Sequence, residues 1–384
     1  MIAILLMLLI IFSISIGVFI DISRGYLNIR SIKILLLSIF LSLTAMTVLI
    51  IPETNMDLYR YYNFIELYRE YGWNYFILSL GMDIQWLFII EMFFISKTNF
   101  NAIAPIIACI VVFSIFYYIF FDYIKDKTKL SRSFIMPLGL FFAWLPYFQI
   151  IDNLRSPMAM AICAMAVYQE FYKHKSKRVW FLYLIAFFIH MQSLIIFLSI
   201  LAYKMYPKIY KYRFCFLVGF IIYSGVFLMF QEVPVPFVQT FVYKAIKYTS
   251  ADYNSTILFN EFTISRIFMF IVSAIFMETT VKHLEEEDYN FARWLQIFIM
   301  FSVGCSPFAE VIRRFSYIMA FFSIMQINFW ITIAGGMRSI FTRFILWSCI
   351  LGMQVWALLK MSRFTLDGLD YSDIFIFLQR YINF

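Results

Sequence analysis

Residues 134–172 read FIMPLGLFFAWLPYFQII, DNLRS and PMAMAICAMAVYQEFY, so that a short polar stretch, Asp152 to Ser156, separates two long apolar runs. An arginine at such a junction costs free energy to keep near a bilayer. Charged groups placed there usually line a cavity or a substrate path. The stretch therefore predicts two membrane-type helices joined by a polar turn with a functional role.

The rest of the chain repeats this pattern. Its 384 residues are 63% hydrophobic and 14% charged, with a mean hydropathy of +0.82. Apolar runs of about 20 residues are long enough to cross a bilayer. We expect an all-α, polytopic membrane bundle of about 10–12 transmembrane helices. We also expect residues 1–384 to form a single transmembrane domain without a soluble domain. The predicted spans are 2–20, 32–51, 99–121, 133–151, 157–172, 214–230, 257–277, 291–304, 315–334 and 344–360.

The apolar run 179–202 is ambiguous, because His190 and Gln192 lie at its middle and basic loops flank both ends. Short loops rich in Lys and Arg face the cytoplasm. Of the 31 basic residues, 19 fall in loops 21–33, 122–132, 173–178, 203–213, 278–293 and 337–343. If all six loops are cytoplasmic, 179–202 must enter and leave on the same side, as two half-helices that meet near His190.

The competing interpretation is one straight span, which would invert everything after residue 202. We favour the broken form, because only then do Arg155 and Arg313 lie on the same, outer side. The N-terminus, loops 149–156 and 305–313, and the tail 361–384 share that side. So do loops 52–74 and 231–256, in which we expect short interfacial helices.

Several functional classes are disfavoured. The five cysteines are scattered without a Cys-x-x-Cys pair, and the three histidines lack metal-ligand spacing, so we predict no metal and no cofactor. The net charge of +8 does not indicate nucleic-acid binding, because the lysines lie in short loops between spans. We expect membrane lipids as partners and no nucleic acid.

The segment 57–71 predicts an amphipathic helix at the membrane surface, with aromatic anchors. In a helix its polar and apolar residues would occupy different faces. The polar face holds Arg60, Asn63, Glu66 and Glu70, and the apolar face holds Leu58, Tyr61, Ile65 and Tyr68. A simpler alternative is that Asp57 and Arg60 merely pair at i,i+3.

Arg155, beside Asn153, has a planar guanidinium suited to carboxylate or phosphate. The alternative is an arginine that only reaches the headgroups from the end of a span. His190 can take and return a proton near neutral pH, but it can equally be a hydrogen-bonded packing residue. Arg266, inside the span 257–277, must meet an anion or water.

The stretch Glu310 to Tyr317 begins another span from the outer side. Arg313 and Tyr317 lie one helical turn apart, and Glu310 reaches Arg313 or Arg314. Two adjacent arginines at the entry of a span favour an anionic ligand, although positively charged anchors are also common there.

The order of these clusters resembles the polysaccharide polymerases of the Wzy and EpsG type. The resemblance rests on Asp57 with Tyr61-Tyr62, on Asn153-Leu154-Arg155-Ser156-Pro157-Met158-Ala159, on Ala186 to His190 with Leu194-Ile195, and on Arg314-Phe315-Ser316-Tyr317. It covers roughly residues 1 to 360. Ser156 stands where the pattern usually has glutamine.

The resemblance implies an enzyme that joins undecaprenyl-pyrophosphate-linked repeat units on the periplasmic face of a bacterial inner membrane, for O-antigen or a related surface polysaccharide. Chain-length control would need a separate regulator protein.

A pyrophosphate that departs without a metal needs fixed positive charge, which Arg155, Arg313 and Arg314 can supply. His190 and Asp57 are the candidate bases. Asn153, Arg60, Tyr61, Arg266, Glu310 and Tyr317 complete the predicted substrate-binding set. A lipid-linked oligosaccharide flippase and an O-antigen ligase are the alternatives.

Replacing Arg155 by lysine is expected to impair polymerisation, because a point charge cannot reproduce the two parallel hydrogen bonds of a guanidinium. The measurement is the length distribution of the surface polysaccharide in cells that carry the variant. Wild-type chain lengths would argue against bidentate binding by Arg155.

Overall fold

The computed structural model describes residues 9, 10, 12–18, 28–124 apart from 53 and 55, 135–173, 176–219, 261–333 apart from 285 and 307, 364–366, 369 and 370. The chain divides into two compact units. Unit 1 comprises Met1–Tyr75, Ile90–Met158 and Ser339–Phe384, and unit 2 comprises Phe76–Ile89 and Ala159–Arg338. Each unit is described by itself below.

Nearly all regular structure in the described residues is helical. The α-helices are α1 (Ile29–Met46), α2 (Asp57–Met82), α3 (Trp86–Ser96), α4 (Ile103–Ile124), α5 (Ile135–Trp144), α6 (Tyr147–Asp152), α7 (Arg155–Tyr172), α8 (Ser176–Ile189), α9 (Ser193–Met205), α10 (Glu261–Thr280), α11 (Glu286–Gly304), α12 (Ala309–Phe321) and α13 (Ser323–Ile333). 3₁₀ segments cover Thr47–Leu49, Pro207–Val218 and Val281–His283. The strands are β1 (Ile50–Pro52), β2 (Phe364–Leu366) and β3 (Leu369–Asp370).

The core of unit 1 is an aromatic stack that joins α1, α4 and α5. The rings of Phe40 and Phe113 are parallel, with their centroids 4.5 Å apart. Phe116 meets Phe141 of α5 at 4.4 Å. Such ring pairs stabilise a core beyond the area they bury. The predicted spans 32–51 and 99–121 are therefore packed helices.

Unit 1 also contains a small antiparallel sheet in the order β1-β2-β3, with Ile50 opposite Leu366 and Pro52 opposite Phe364. The sequence did not predict it, because strands of two or three residues carry no detectable periodicity. The pairing brings the segment that follows α1 next to residues 364–366. The shared membrane side of residues 52–74 and 361–384 stays a prediction.

Unit 2 packs around Trp294 of α11, which is fully buried. Its indole Nε1 donates to Ser199 Oγ of α9 at 3.1 Å. Phe171 of α7 lies 5.7 Å from its ring. At the last residue of α11, a Cβ on Gly304 would fall 2.5 Å from the Phe216 carbonyl oxygen, so a glycine is required where these two segments cross.

The broken form of segment 179–202 is confirmed. Helix α8 ends at Ile189 and α9 begins at Ser193, and the ring of Trp180 lies 5.1 Å from that of Phe197. In one straight helix these residues, seventeen positions apart, would be separated by about 25 Å along the axis. An ion pair between Lys204 and Glu170 holds the end of α9 against the end of α7. The segment is thus a helical hairpin with His190 in its turn.

Two other predicted spans are interrupted. Segment 133–151 divides into α5 and α6 at Pro146, which has an extended backbone and no N–H to continue the helix. Segment 315–334 divides into α12 and α13 at Phe322.

The all-α membrane class is confirmed. Within the described residues, three helices are long and apolar enough to cross a membrane: Ile29–Leu49, Ile103–Ile124 and Ile264–His283. The total of about 10–12 spans stays a prediction. The predicted spans 2–20, 214–230 and 344–360 lie wholly or partly outside the described residues, and the predicted outer loop 231–256 lies wholly outside them.

Helix α2 is longer than the predicted 57–71 and bends at Gly72. The backbone of Gly72 has φ +59° and ψ −134°, a conformation that only glycine adopts without strain. No described atom lies within 4 Å of the position that a Cβ on Gly72 would take. Backbone strain is therefore the whole cost of a side chain there.

We predict that Gly72→Ala lowers the free energy of unfolding by about 1–3 kcal/mol, measured by thermal unfolding of the purified protein in detergent. The matched control is Gly81→Ala in the same helix, where a Cβ is equally free of described neighbours and φ is not positive. The control should be neutral or slightly stabilising. Equal effects of the two substitutions would contradict the assignment of strain to Gly72.

Candidate functional site

The polar turn after α6 lies against the first turn of α2 in unit 1. Asp152 Oδ1 accepts a hydrogen bond from the backbone N–H of Leu58 at 3.1 Å. A carboxylate is favourable at a helix N-terminus, where N–H groups lack partners within the helix. Nδ2 of the buried Asn153 donates to Gln149 Oε1 at 2.7 Å. Asn153 thus belongs to the scaffold of the turn as well as to the predicted site. The contribution of Asp152 was not predicted, because sequence spacing does not show which helix start it would meet.

Tyr61 and Arg155 form the centre of this cluster. Arg155 Nε donates to the Tyr61 hydroxyl oxygen at 3.2 Å, and its guanidinium lies 5.5 Å from the centre of the Tyr61 ring. Burial raises the pKa of Tyr61, while the positive charge of Arg155 partly opposes this shift. Burial likewise raises the pKa of Tyr62 to about 12. Both phenols therefore stay protonated at neutral pH.

The amphipathic character predicted for 57–71 is present in α2, where Leu58, Tyr61, Ile65 and Tyr68 are all buried. Asp57 Oδ1 accepts from Arg60 at 2.9 Å, and these two side chains keep 36% and 64% of their surface exposed. The local i,i+3 pair considered for them is thus formed. A role for Asp57 as a base and for Arg60 in substrate binding stays a prediction.

In unit 2 the turn of the α8–α9 hairpin contacts α12 through His190. The Arg314 guanidinium lies 3.3 Å from His190 Nε2, and the backbone N–H of Gln192 points at Nδ1 from 3.3 Å. A neutral imidazole has one nitrogen with a free lone pair, so it can accept from one of these donors at a time. His190 and Arg314, 124 positions apart in the chain, are therefore neighbours in one site.

Glu310 holds both arginines at the start of α12. Its Oε2 accepts from Arg313 at 2.6 Å and lies 3.6 Å from Arg314 Nε. The side chains of Glu310 and Arg314 keep only 7% and 12% of their surface exposed. Guanidinium groups bind phosphate and carboxylate oxygens through charge-assisted hydrogen bonds, so this triad is suited to an anionic ligand.

Tyr317 and Arg266 extend this cluster into the interior of unit 2. Tyr317 is fully buried one turn after Arg313, and it interacts electrostatically with Arg313, Arg314, Glu310 and Arg266. Arg266 is 2% exposed and donates to Met269 Sδ at 3.5 Å. The predicted residues His190, Glu310, Arg313, Arg314, Tyr317 and Arg266 thus form one cluster. Among the described residues, no group of three His, Cys, Asp or Glu side chains could hold a metal ion.

This architecture defines an all-helical membrane protein with a buried, arginine-rich polar cluster at the turn of a helical hairpin. The chain belongs to the EpsG family, whose pattern it matches over residues 33–367. It is therefore a membrane protein of the polysaccharide-polymerase type, related to glycosyltransferases. No curated protein and no solved structure gave a significant match to the chain.

We predict that Glu310→Gln lowers the free energy of unfolding by about 3 kcal/mol, because it removes the carboxylate charge that both largely buried guanidinium groups contact. Thermal unfolding in detergent measures the change. Added inorganic pyrophosphate should restore part of the lost stability by binding in place of the carboxylate charge.

The matched control is Asp57→Asn, which removes an acidic residue at the same i,i+3 spacing from its arginine, but on the surface. It should change stability by less than about 1 kcal/mol. A Glu310→Gln protein as stable as this control would contradict the role given to Glu310.

Proposed function

We propose that the chain polymerises undecaprenyl-pyrophosphate-linked repeat units into O-antigen or a related surface polysaccharide. The observation that carries this proposal is the triad Glu310, Arg313 and Arg314 beside His190. It brings two guanidinium groups and an imidazole together in a largely buried setting. Fixed positive charge where negative charge develops is what a departing pyrophosphate requires.

In the proposed reaction, a sugar hydroxyl at the non-reducing end of one repeat unit attacks the anomeric carbon of the growing glycan. The new C–O bond forms as the bond from that carbon to the pyrophosphate oxygen breaks. The electron pair leaves with undecaprenyl pyrophosphate, and the hydroxyl proton passes to a base. Arg313 and Arg314 stabilise the charge that accumulates on the pyrophosphate.

His190 is the preferred base of the two candidates. Its Nε2 faces Arg314, so a pyrophosphate that draws the guanidinium towards itself would free a lone pair for the acceptor hydroxyl. Asp57, paired with Arg60 on the surface of α2, remains the alternative base. Arg266 adds a further positive charge to this environment, and the neutral Tyr317 phenol interacts with it and with all three members of the triad.

The unit 1 residues Arg155, Tyr61, Asn153 and Arg60 are proposed as further substrate contacts. Arg155 Nε donates to the Tyr61 hydroxyl oxygen, and its planar guanidinium has the geometry to bind an anion or sugar hydroxyls. We place the enzyme in the bacterial inner membrane with its active site on the periplasmic face. A chain-length regulator would be a separate partner.

Deleting the gene from its host tests the proposed reaction. The surface polysaccharide, separated on a gel, should collapse from a ladder to lipid core with a single repeat unit, because flipping and ligation continue. Core without any repeat unit would support the flippase or ligase alternative instead. An unchanged ladder would rule out the O-antigen role.

Complementing the deletion strain with Arg314→Lys tests the triad. We expect the ladder to shorten and its total polymer to fall at least tenfold, because an ammonium cannot contact Glu310, His190 and a phosphate as a guanidinium does. The matched control is Arg30→Lys on the exposed first turn of α1, which should restore the full ladder. Both variants must reach the same membrane abundance on a blot. Full activity of Arg314→Lys would remove the triad from the mechanism.

A further inference from the structure

We propose that the side-chain amide of Gln192 binds the sugar that is attached directly to the pyrophosphate, and so helps to select the glycan substrate. This inference rests on the proposed function, because it presupposes that the triad beside His190 holds the pyrophosphate. It assigns to Gln192 a contact with substrate rather than a role in holding the hairpin together.

The side-chain amide of Gln192 is buried and makes no hydrogen bond to the described residues. The residue is 5% exposed, and in the described part of the chain neither its Oε1 nor its Nε2 has a hydrogen-bond partner. A primary amide offers two donor hydrogens and an acceptor oxygen, and leaving all of them unpaired in the interior is costly. Buried polar groups in folded proteins are nearly always satisfied, so this amide calls for a partner, and a substrate hydroxyl is one that would satisfy it.

The turn of the hairpin keeps its own bonds without this amide. The backbone N–H of Gln192 points at His190 Nδ1, and Ser193 contributes its backbone N–H and its hydroxyl to the His190 carbonyl oxygen at 3.1 and 3.0 Å. The amide is therefore available to a ligand without loss of these contacts.

The part of the substrate that Gln192 meets is inferred from its position in the same turn as His190. Gln192 lies two residues from His190, whose imidazole is in contact with Arg314 of the triad. If the triad holds the pyrophosphate, the next group along the substrate is the sugar bonded to it. Each hydroxyl or acetamido group on that sugar both donates and accepts, which matches a carboxamide that also does both.

The test compares the binding of two lipids to the full-length protein in lipid nanodiscs. The first is undecaprenyl pyrophosphate, which has no sugar. The second is the lipid-linked repeat unit purified from the deletion strain. We expect Gln192→Met to weaken binding of the repeat unit by about tenfold while leaving the affinity for undecaprenyl pyrophosphate unchanged. Methionine keeps the length of the side chain and removes its hydrogen bonds.

The outcomes separate this inference from the proposed function. Wild-type protein that binds neither lipid would overturn the proposed function. Wild-type protein that binds both, with Gln192→Met equally tight for each, would overturn only the role of Gln192. A Gln192→Met protein weakened equally for both lipids would also overturn it, because the amide would then act on the pyrophosphate site.

A second variant distinguishes a substrate contact from a structural role. Gln326 is another buried glutamine of unit 2, but its Nε2 donates to the Met319 carbonyl oxygen at 2.8 Å. Gln326→Met should lower the thermal unfolding temperature, since it leaves that carbonyl without this donor. Gln192→Met should leave the unfolding temperature of the ligand-free protein unchanged or raise it. A fall as large as that of Gln326→Met would show that the Gln192 amide is structural.

Discussion

The break at His190 is the constraint on which the rest of unit 2 depends. A helix that crosses lipid satisfies its backbone internally, and a break at membrane depth is tolerated only where protein supplies partners or a cavity. Here the turn provides its own hydrogen-bond partners, through Ser193, Gln192 and the His190 ring. The two short helices can then fold back on each other, as the contact between Trp180 and Phe197 shows. An imidazole thereby reaches the interior next to α12.

The need for polar partners in an apolar interior also explains how Arg313 and Arg314 are accommodated. A guanidinium in a low-dielectric interior needs a counter-charge or a ligand. Glu310 Oε2 lies within ion-pair distance of both Arg313 and Arg314. Buried ion pairs are often no more stabilising than apolar side chains of similar volume. The cluster therefore supports the proposed anionic substrate better than a purely structural role.

Two ion pairs with the same spacing show how burial changes the contribution of an ion pair to stability. Asp57–Arg60 and Glu310–Arg313 have the same i,i+3 spacing and similar N–O distances of 2.9 and 2.6 Å. The first pair is largely solvated and contributes little to stability. The second is enclosed, so its electrostatic interactions are stronger and its loss is costlier. The same spacing of an acidic residue and an arginine therefore occurs in a solvated pair and in an enclosed pair. For this reason the sequence alone left open whether each pair was a local ion pair or part of a binding site.

Hydrophobic content and charge distribution in the sequence determined the membrane class, favoured a broken helix over one straight span at 179–202, and identified most residues of the unit 2 cluster. These properties depend on local runs and loop charges, since lipid imposes one length and one polarity on every span. The tertiary structure alone decided the contact of His190 with Arg314, the contact of Asp152 with α2, the pairing of β1 with the tail and the isolation of the Gln192 amide. Each of these contacts depends on residues distant in sequence or on the packing around a side chain. A local sequence pattern does not show which distant residues become neighbours in the folded chain.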